Sequence, residues 1–229
     1  MYRRFLNARS PLRLLEKGLH GGLGRGNLGL VLAGPGVGKT AFLVGVALDD
    51  LMRGEPVLHI TLDHTVTHVR DHYDTVFEDL AQSNHLENAS VVHAEADRLR
   101  RIRAYPPSDF DAKRLREALD LEAEVGAKPA LVVVDGFDVG ECTPAELTRW
   151  QQIARETEAE IWISAAAPEE AIPELPAALK PLESHFGVVL ALEPGDQVVG
   201  LRALKDHENP DASALHVALD PRTLLLVRS

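Results

Sequence analysis

Short runs of consecutive apolar residues alternate along the chain with longer segments in which apolar positions recur every three or four residues. The runs LGLVLA (28–33), PVLHITL (56–62), ASVVHA (89–94), PALVVVDGFD (129–138) and EIWISAAA (160–167) have the length and composition of strands. Between them lie segments of helical period. KTAFLVGVALDDLMRG (39–54) is one, and TVTHVRDHYDTVFEDLA (65–81) is another, with Val66, Val69, Tyr73, Val76, Phe77 and Leu80 on one stripe. DAKRLREALDLEAEVG (111–126) is predicted to turn Leu115, Leu119 and Leu121 towards a core. TPAELTRWQQIARETEA (143–159) opens with Thr143 in the capping position and Pro144 at the first helical position, where its missing N–H costs nothing. From Gly187 onwards the pattern becomes strands separated by Pro, Gly, Asp and Asn turns. Strand and helix thus alternate to about residue 166 and hairpins follow. The expected class is α/β, with a mostly parallel central sheet flanked by helices and a C-terminal antiparallel extension. Runs such as LVVV suit strands covered on both faces. No internal repeat, low-complexity tract or linker divides the chain, so a single domain over residues 1–229 is expected, with residues 1–25 leading into the core.

The first strand and the first long helix are joined by AGPGVGKT, residues 33–40. This is the phosphate loop G-x-x-x-x-G-K-[ST] with Ala33 in the first position, in the strand–loop–helix setting that the motif requires. Glycines permit backbone angles closed to other residues and let amide N–H groups close around phosphate oxygens at the positive end of a helix. The candidate nucleotide-holding residues are Gly34, Pro35, Gly36, Val37, Gly38, Lys39, Thr40 and Ala41. Lys39 is expected to reach the β- and γ-phosphates, and the Thr40 hydroxyl to coordinate Mg²⁺. The apolar run ALVVVDGFD ends in an acid, the Walker B pattern. Asp135 is therefore the candidate partner of Mg²⁺, and Asp138 is a second acid in the same turn.

Charge narrows the partners. The formal net charge of −11 disfavours bulk attraction to nucleic acid or anionic lipid. Its distribution is uneven, however. Residues 1–25 hold Arg3, Arg4, Arg9, Arg13, Lys17 and Arg25 against Glu16 alone, and a second basic cluster comprises Arg98, Arg100, Arg101 and Arg103. Such clusters read as solvated faces or subunit contacts, or as a docking strip for an acidic partner or a nucleic acid. No apolar run approaches the ~18–20 residues that cross a bilayer. MYRRFLNARSPLRLLEKG lacks the apolar stretch of a secretory signal, and the lone Cys142 suits a reducing, cytoplasmic setting.

Together these segments resemble the RecA-like ATPases, in particular the branch of KaiC, RadA and the DnaB-type helicases. The lead-in SPLRLLEKGLHGGLGRGNLGLVLAGPGVGKTAF, the strand and helix HITLDHTVTHVRDHY, the segment LESHFGVVLALE and the tail LRALKDHENPDASALHVALDPRTLLL carry the likeness over residues 10–227. The resemblance implies an ATP-binding, ATP-hydrolysing domain with Mg²⁺, whose site usually lies between subunits of a ring or filament. Where the branch has a glutamate that orients the attacking water, this chain has Asp63, one methylene shorter; an N-cap for the following helix is the alternative reading of Asp63. A misplacement of ~1 Å can cost about 10²-fold in rate. The C-terminal Lys-x-Arg finger reads Lys205-Asp206-His207. Lys205 could serve a neighbouring subunit's γ-phosphate, and His207 only when protonated; an ordinary hairpin turn is the alternative. Ser164 stands where the branch has a polar sensor, or is simply a serine at a strand end.

Other constellations carry less. His64, His68 and His72 recur at intervals of four with Asp71 alongside, a spacing that can bind Zn²⁺ or Ni²⁺ but also occurs on solvated faces. No G-x-S-x-G elbow or dinucleotide fingerprint is present. The reading is a Mg-ATP-binding ATPase, slow because of Asp63 and His207, acting as a nucleotide-dependent switch or assembly factor. The alternatives are a DNA-dependent recombinase or helicase accessory, disfavoured by the acidic or neutral segments GFDVGECTPAE and APEEAIPELPAALKPLE, and a non-hydrolysing scaffold that regulates a protein partner.

Overall fold

The computed structural model describes residues 10–167, 172–209 and 214–228. Arg3, Arg4 and Arg9 of the basic lead-in, and residues 168–171 of the segment after the sensor strand, lie outside them.

The described elements are α1 (Leu12–Gly18), β1 (Leu28–Ala33), α2 (Lys39–Arg53), β2 (Val57–Thr61), α3 (Val66–Ser83), α4 (Ala89–Leu99), β3 (Arg100–Ala104), α5 (Ala112–Glu124), β4 (Leu131–Asp135), α6 (Pro144–Thr157), β5 (Glu160–Ala166), β6 (Val188–Pro194), β7 (Val199–Asp206), β8 (Ala214–Leu219) and β9 (Leu226–Arg228). The strands form one nine-stranded sheet in the order β3-β2-β4-β5-β1-β6-β7-β8-β9. The pairings from β3 across to β6 are parallel, and those from β6 to β9 are antiparallel. This is the expected architecture.

Alternation within the buried strands shows why they read as unbroken apolar runs. In β4, Leu131 and Val133 pack into the layer built by α2 and α3, while Val132 and Val134 pack into the layer built by α5 and α6. β1 divides the same way, with Val31 and Ala33 on the first face and Leu30 and Leu32 on the second. A strand covered on both faces has no polar side to show. Truncating a fully buried leucine such as Leu30 to alanine should cost about 2–5 kcal/mol.

Three local expectations are corrected. Residues 89–94 are helical rather than extended: α4 buries Val92 and Ala96, one turn apart, and leaves Val91 exposed. The strand comes afterwards, at β3, disguised by its arginines. β3 is an edge strand, and its charges are matched within the chain. Arg100 lies 4.6 Å over the Tyr73 ring and pairs with Asp97 at 2.7 Å. Arg103 binds the buried Glu122 at 2.6 Å, with Arg101 3.5 Å from the same carboxylate. Most of the second basic cluster is therefore paired internally. Glu122 also explains the second correction. The inward stripe of α5 is Ala112, Leu115, Ala118, Leu119 and Glu122, which leaves Leu121 exposed. Third, Val66 is exposed at the start of α3.

His59 in β2 is fully buried, with Nδ1 3.1 Å from the Tyr73 hydroxyl. Burial disfavours its charged form and pushes its pKa down to about 4, against a smaller opposing effect of Asp135. The folded state therefore binds fewer protons at this site than the unfolded chain, whose His titrates near 6.5. The associated stability is complete above pH ~6.5 and is lost as pH falls towards the folded value. Denaturant titrations of the wild type and His59→Asn should show the wild type losing on the order of 3 kcal/mol relative to the variant between pH 7 and pH 4.

Candidate functional site

The phosphate-loop residues join the C-terminal end of β1 to α2, the end of a parallel sheet where ligands bind in open α/β folds. Gly36 and Gly38 have φ of +72° and +115°, which the turn requires and side chains resist. Gly38 caps α2 without a side-chain hydrogen bond, and no acid lies in the first turn. The amides of that turn thus remain donors for an anion at the positive end of the helix dipole. Lys39 Nζ donates to the carbonyls of Ala33 and Gly34, both at 3.1 Å. Burial lowers the Lys39 pKa, opposed by the nearby carboxylates of Asp135 and Asp63.

Asp135 is 2% exposed and is gripped from two sides. The Thr40 hydroxyl donates to Oδ2 at 2.6 Å, and the buried Ser164 hydroxyl donates to Oδ1. Ser164 Oγ in turn accepts the Gly136 N–H at 2.9 Å. Ser164 therefore holds the carboxylate and the turn that follows it. It is engaged with Asp135 itself, which is more than an incidental strand-end serine would do.

Register brings Asp63 to the same point. Thr61 lies beside Asp135 in the β2–β4 pairing, and the Leu62 N–H continues the ladder to the Asp135 carbonyl at 2.9 Å. The next residue, Asp63, then meets Gly136. Gly136 has φ of +84°, which disfavours other residues, and a Cβ there would fall 2.6 Å from the Asp63 carboxyl carbon where it now stands. Asp63 does not cap α3: Thr65 does, accepting the His68 N–H at 3.2 Å. With the capping alternative removed, the Asp63 carboxylate faces a cavity of about 1070 Å³ that is also lined by Lys39, Thr40 and Asp135. His64, His68 and His72 line it too. Their rings stand in a row, with centroids 4.5 Å apart for His64 and His68 and 5.0 Å for His68 and His72. Burial, then the two neighbouring imidazoles, hold the His72 pKa below its usual value.

Other sequence candidates lie elsewhere or have structural roles. Asp138 Oδ1 accepts the Gly140 N–H at 3.1 Å and caps the 3-10 turn Val139–Glu141. Cys142 is half-buried, its thiol pushed up to about 11 by burial, the pattern of an inert side chain. Lys205 is opposite Val189, which is level with Leu30, so it sits towards the end of the sheet away from its own phosphate loop. Its Nζ donates to the Glu183 carbonyl at 2.9 Å. His207 Nε2 lies 3.0 Å from the Gly22 carbonyl, at a turn position with φ of +50°.

Compared with known families, residues 10–156 match the model of the ATPase KaiC. The chain belongs to the KaiC ATPase family. It is thus a RecA-like P-loop ATPase, and nucleotide binding comes with the family. No curated protein matches the chain. The matched stretch of this KaiC-family chain holds the phosphate loop, Asp63 and Asp135, and ends before β5, Ser164 and Lys205. Gly136 and Thr61 were not among the sequence candidates, although both shape the site. Thr61 Oγ1 accepts the His64 N–H at 3.1 Å and so bends the chain after β2. The signal for Gly136 was its place directly after the strand-end acid.

Replacing Ser164 by alanine leaves a buried carboxylate oxygen and the Gly136 N–H without this partner. The expected loss is about 1–3 kcal/mol in denaturant unfolding, together with weaker Mg²⁺-dependent nucleotide affinity in a calorimetric titration.

Proposed function

We propose that this chain binds Mg-ATP, hydrolyses it slowly, and uses nucleotide occupancy as a switch or assembly signal. The observation that carries the reading is the 2.6 Å bond between Thr40 and Asp135 beside Lys39, at the open end of the α2 dipole. A hydroxyl and a carboxylate in contact, next to free amide donors, are hard donors suited to Mg²⁺ with a polyphosphate. Thr40 would ligate the ion directly and Asp135 would hold one of its waters. The ion, when bound, neutralises charge on the β- and γ-phosphates. The loop amides and Lys39 would bind the phosphate oxygens, which requires Lys39 Nζ to leave the Ala33 and Gly34 carbonyls. Asp63 would orient the attacking water and accept its proton. Its short reach supports slow turnover.

The position of Lys205, remote from its own loop, supports a role at a neighbouring subunit's site, and hence a ring or filament. The two other readings make different demands. A DNA-dependent motor needs stimulation by single-stranded DNA, which the net charge of −11 disfavours. A scaffold needs nucleotide binding without turnover.

Lys39→Ala should weaken Mg-ATP binding at least about tenfold, measured by nucleotide titration. Asp63→Asn should keep that affinity while phosphate release falls about 10²-fold. Turnover unaffected by Asp63→Asn would remove Asp63 from the chemistry. Tight binding without any wild-type turnover would favour the scaffold, and DNA stimulation would favour the motor. The mass in solution, with and without Mg-ATP, tests the assembly.

A further inference from the structure

Asp63, His64 and Asp135 each offer a ligand atom such that all of these atoms lie within 4.8 Å of one another. Two carboxylates this close repel each other, and the nearest cation, Lys39, directs its Nζ to backbone carbonyls instead. The imidazole has no place in a purely Mg²⁺-binding set, since Mg²⁺ prefers oxygen donors in a strict octahedron. A mixed imidazole–carboxylate set suits Zn²⁺, Co²⁺ and related ions. His68 is the adjacent donor: its ring centroid lies 4.5 Å from that of His64, it lines the same cavity, and it has to turn towards the other three to join them. The Asp135 oxygens each accept one hydrogen bond, which leaves a lone pair on each for a metal. The Asp63 and His64 side chains are 51% and 35% exposed, so an ion can reach them and they can adjust to it.

We propose that Asp63, His64 and Asp135, completed by His68, form a transition-metal site in the nucleotide-free protein, which shares Asp135 and Asp63 with the nucleotide site and adds the imidazoles to it. The Asp74, His93 and Asp97 group is similarly compact, but Arg100 already pairs with both of its acids. Beside the phosphate loop, Lys39 turns its Nζ to backbone carbonyls, and the group against Asp63 is His64 itself, with Nε2 3.6 Å from Oδ1.

The test uses the untagged full chain, stripped of metal and nucleotide. CoCl₂ is added and the visible ligand-field absorption is followed, with ZnCl₂ titrated calorimetrically in parallel. The expected result is one ion per chain, an absorption strong enough for a four-coordinate nitrogen- and oxygen-ligated ion, and displacement of Co²⁺ by Zn²⁺. His64→Ala should weaken binding at least about tenfold, and His68→Ala should weaken it less. His64→Ala should still bind Mg-ATP, because His64 is outside the phosphate-binding set. His64 is half-buried and His68 exposed, so these variants should fold, which far-ultraviolet circular dichroism checks. Absence of Co²⁺ binding, or binding unchanged in His64→Ala, would overturn the proposal. Loss of Mg-ATP binding in the wild type with Co²⁺ binding intact would instead remove the nucleotide reading and leave the metal site standing.

Discussion

The carboxylate of Asp135 holds the site together. It is almost fully buried, and a buried carboxylate needs partners to offset its lost hydration. It finds them in Thr40, on the first turn of α2, and Ser164, in β5. One side chain at the end of β4 thereby ties a second strand and the start of a helix to one point. The strand order puts β4 between β2 and β5. Asp63 therefore approaches from one side and Ser164 from the other. Sheet topology brings loop, acid and the residue after β2 together, and the Thr40–Asp135 bond fastens the loop to the acid.

Much of this was legible from the chain alone. The loop 33–40 could be read because each residue type answers a physical need: glycine for positive φ, lysine for phosphate, threonine for metal. The strand ending at Asp135 could be read because a strand covered on both faces is apolar throughout, and the acid that interrupts it stands out. β3 could not be read, because an edge strand tolerates arginines whose stems pack and whose heads find acids. Asp97 lies one helical turn before the strand, but Asp74 and Glu122 come from α3 and α5, some twenty residues or more away. The segment 89–94 misled through its paired valines, of which only Val92 is buried. Leu121 misled because Glu122 occupies the inward position to meet Arg103. In the second case a tertiary ion pair overrode the local hydrophobic pattern.

At the site, spacing was a poorer guide. The three histidines at intervals of four suggested one helical face, yet His64 precedes the cap of α3 and is turned by Thr61. Its nearness to Asp135 depends on strand register, which no local pattern encodes. The choice between base and cap for Asp63 likewise needed the observation that Thr65 is the cap. Ser164 was singled out by the resemblance, which puts a polar sensor at that strand end. Its attachment to Asp135 became visible only when β4 and β5 were seen side by side.

The turn after Asp135 also bears on how the chain can be observed. Phe137 lies against Trp150 with ring centroids 4.8 Å apart, and the Trp150 indole N–H donates to Glu146 at 3.0 Å. The other tryptophan, Trp162, packs against Phe42 in the opposite layer of the sheet, centroids 6.3 Å apart. Any displacement of the turn that carries Gly136 and Phe137 changes the surroundings of one indole and leaves the other in place. The molecule thus contains an optical reporter and an internal reference on either side of the same sheet, and motion at the site is open to intrinsic fluorescence without an added dye.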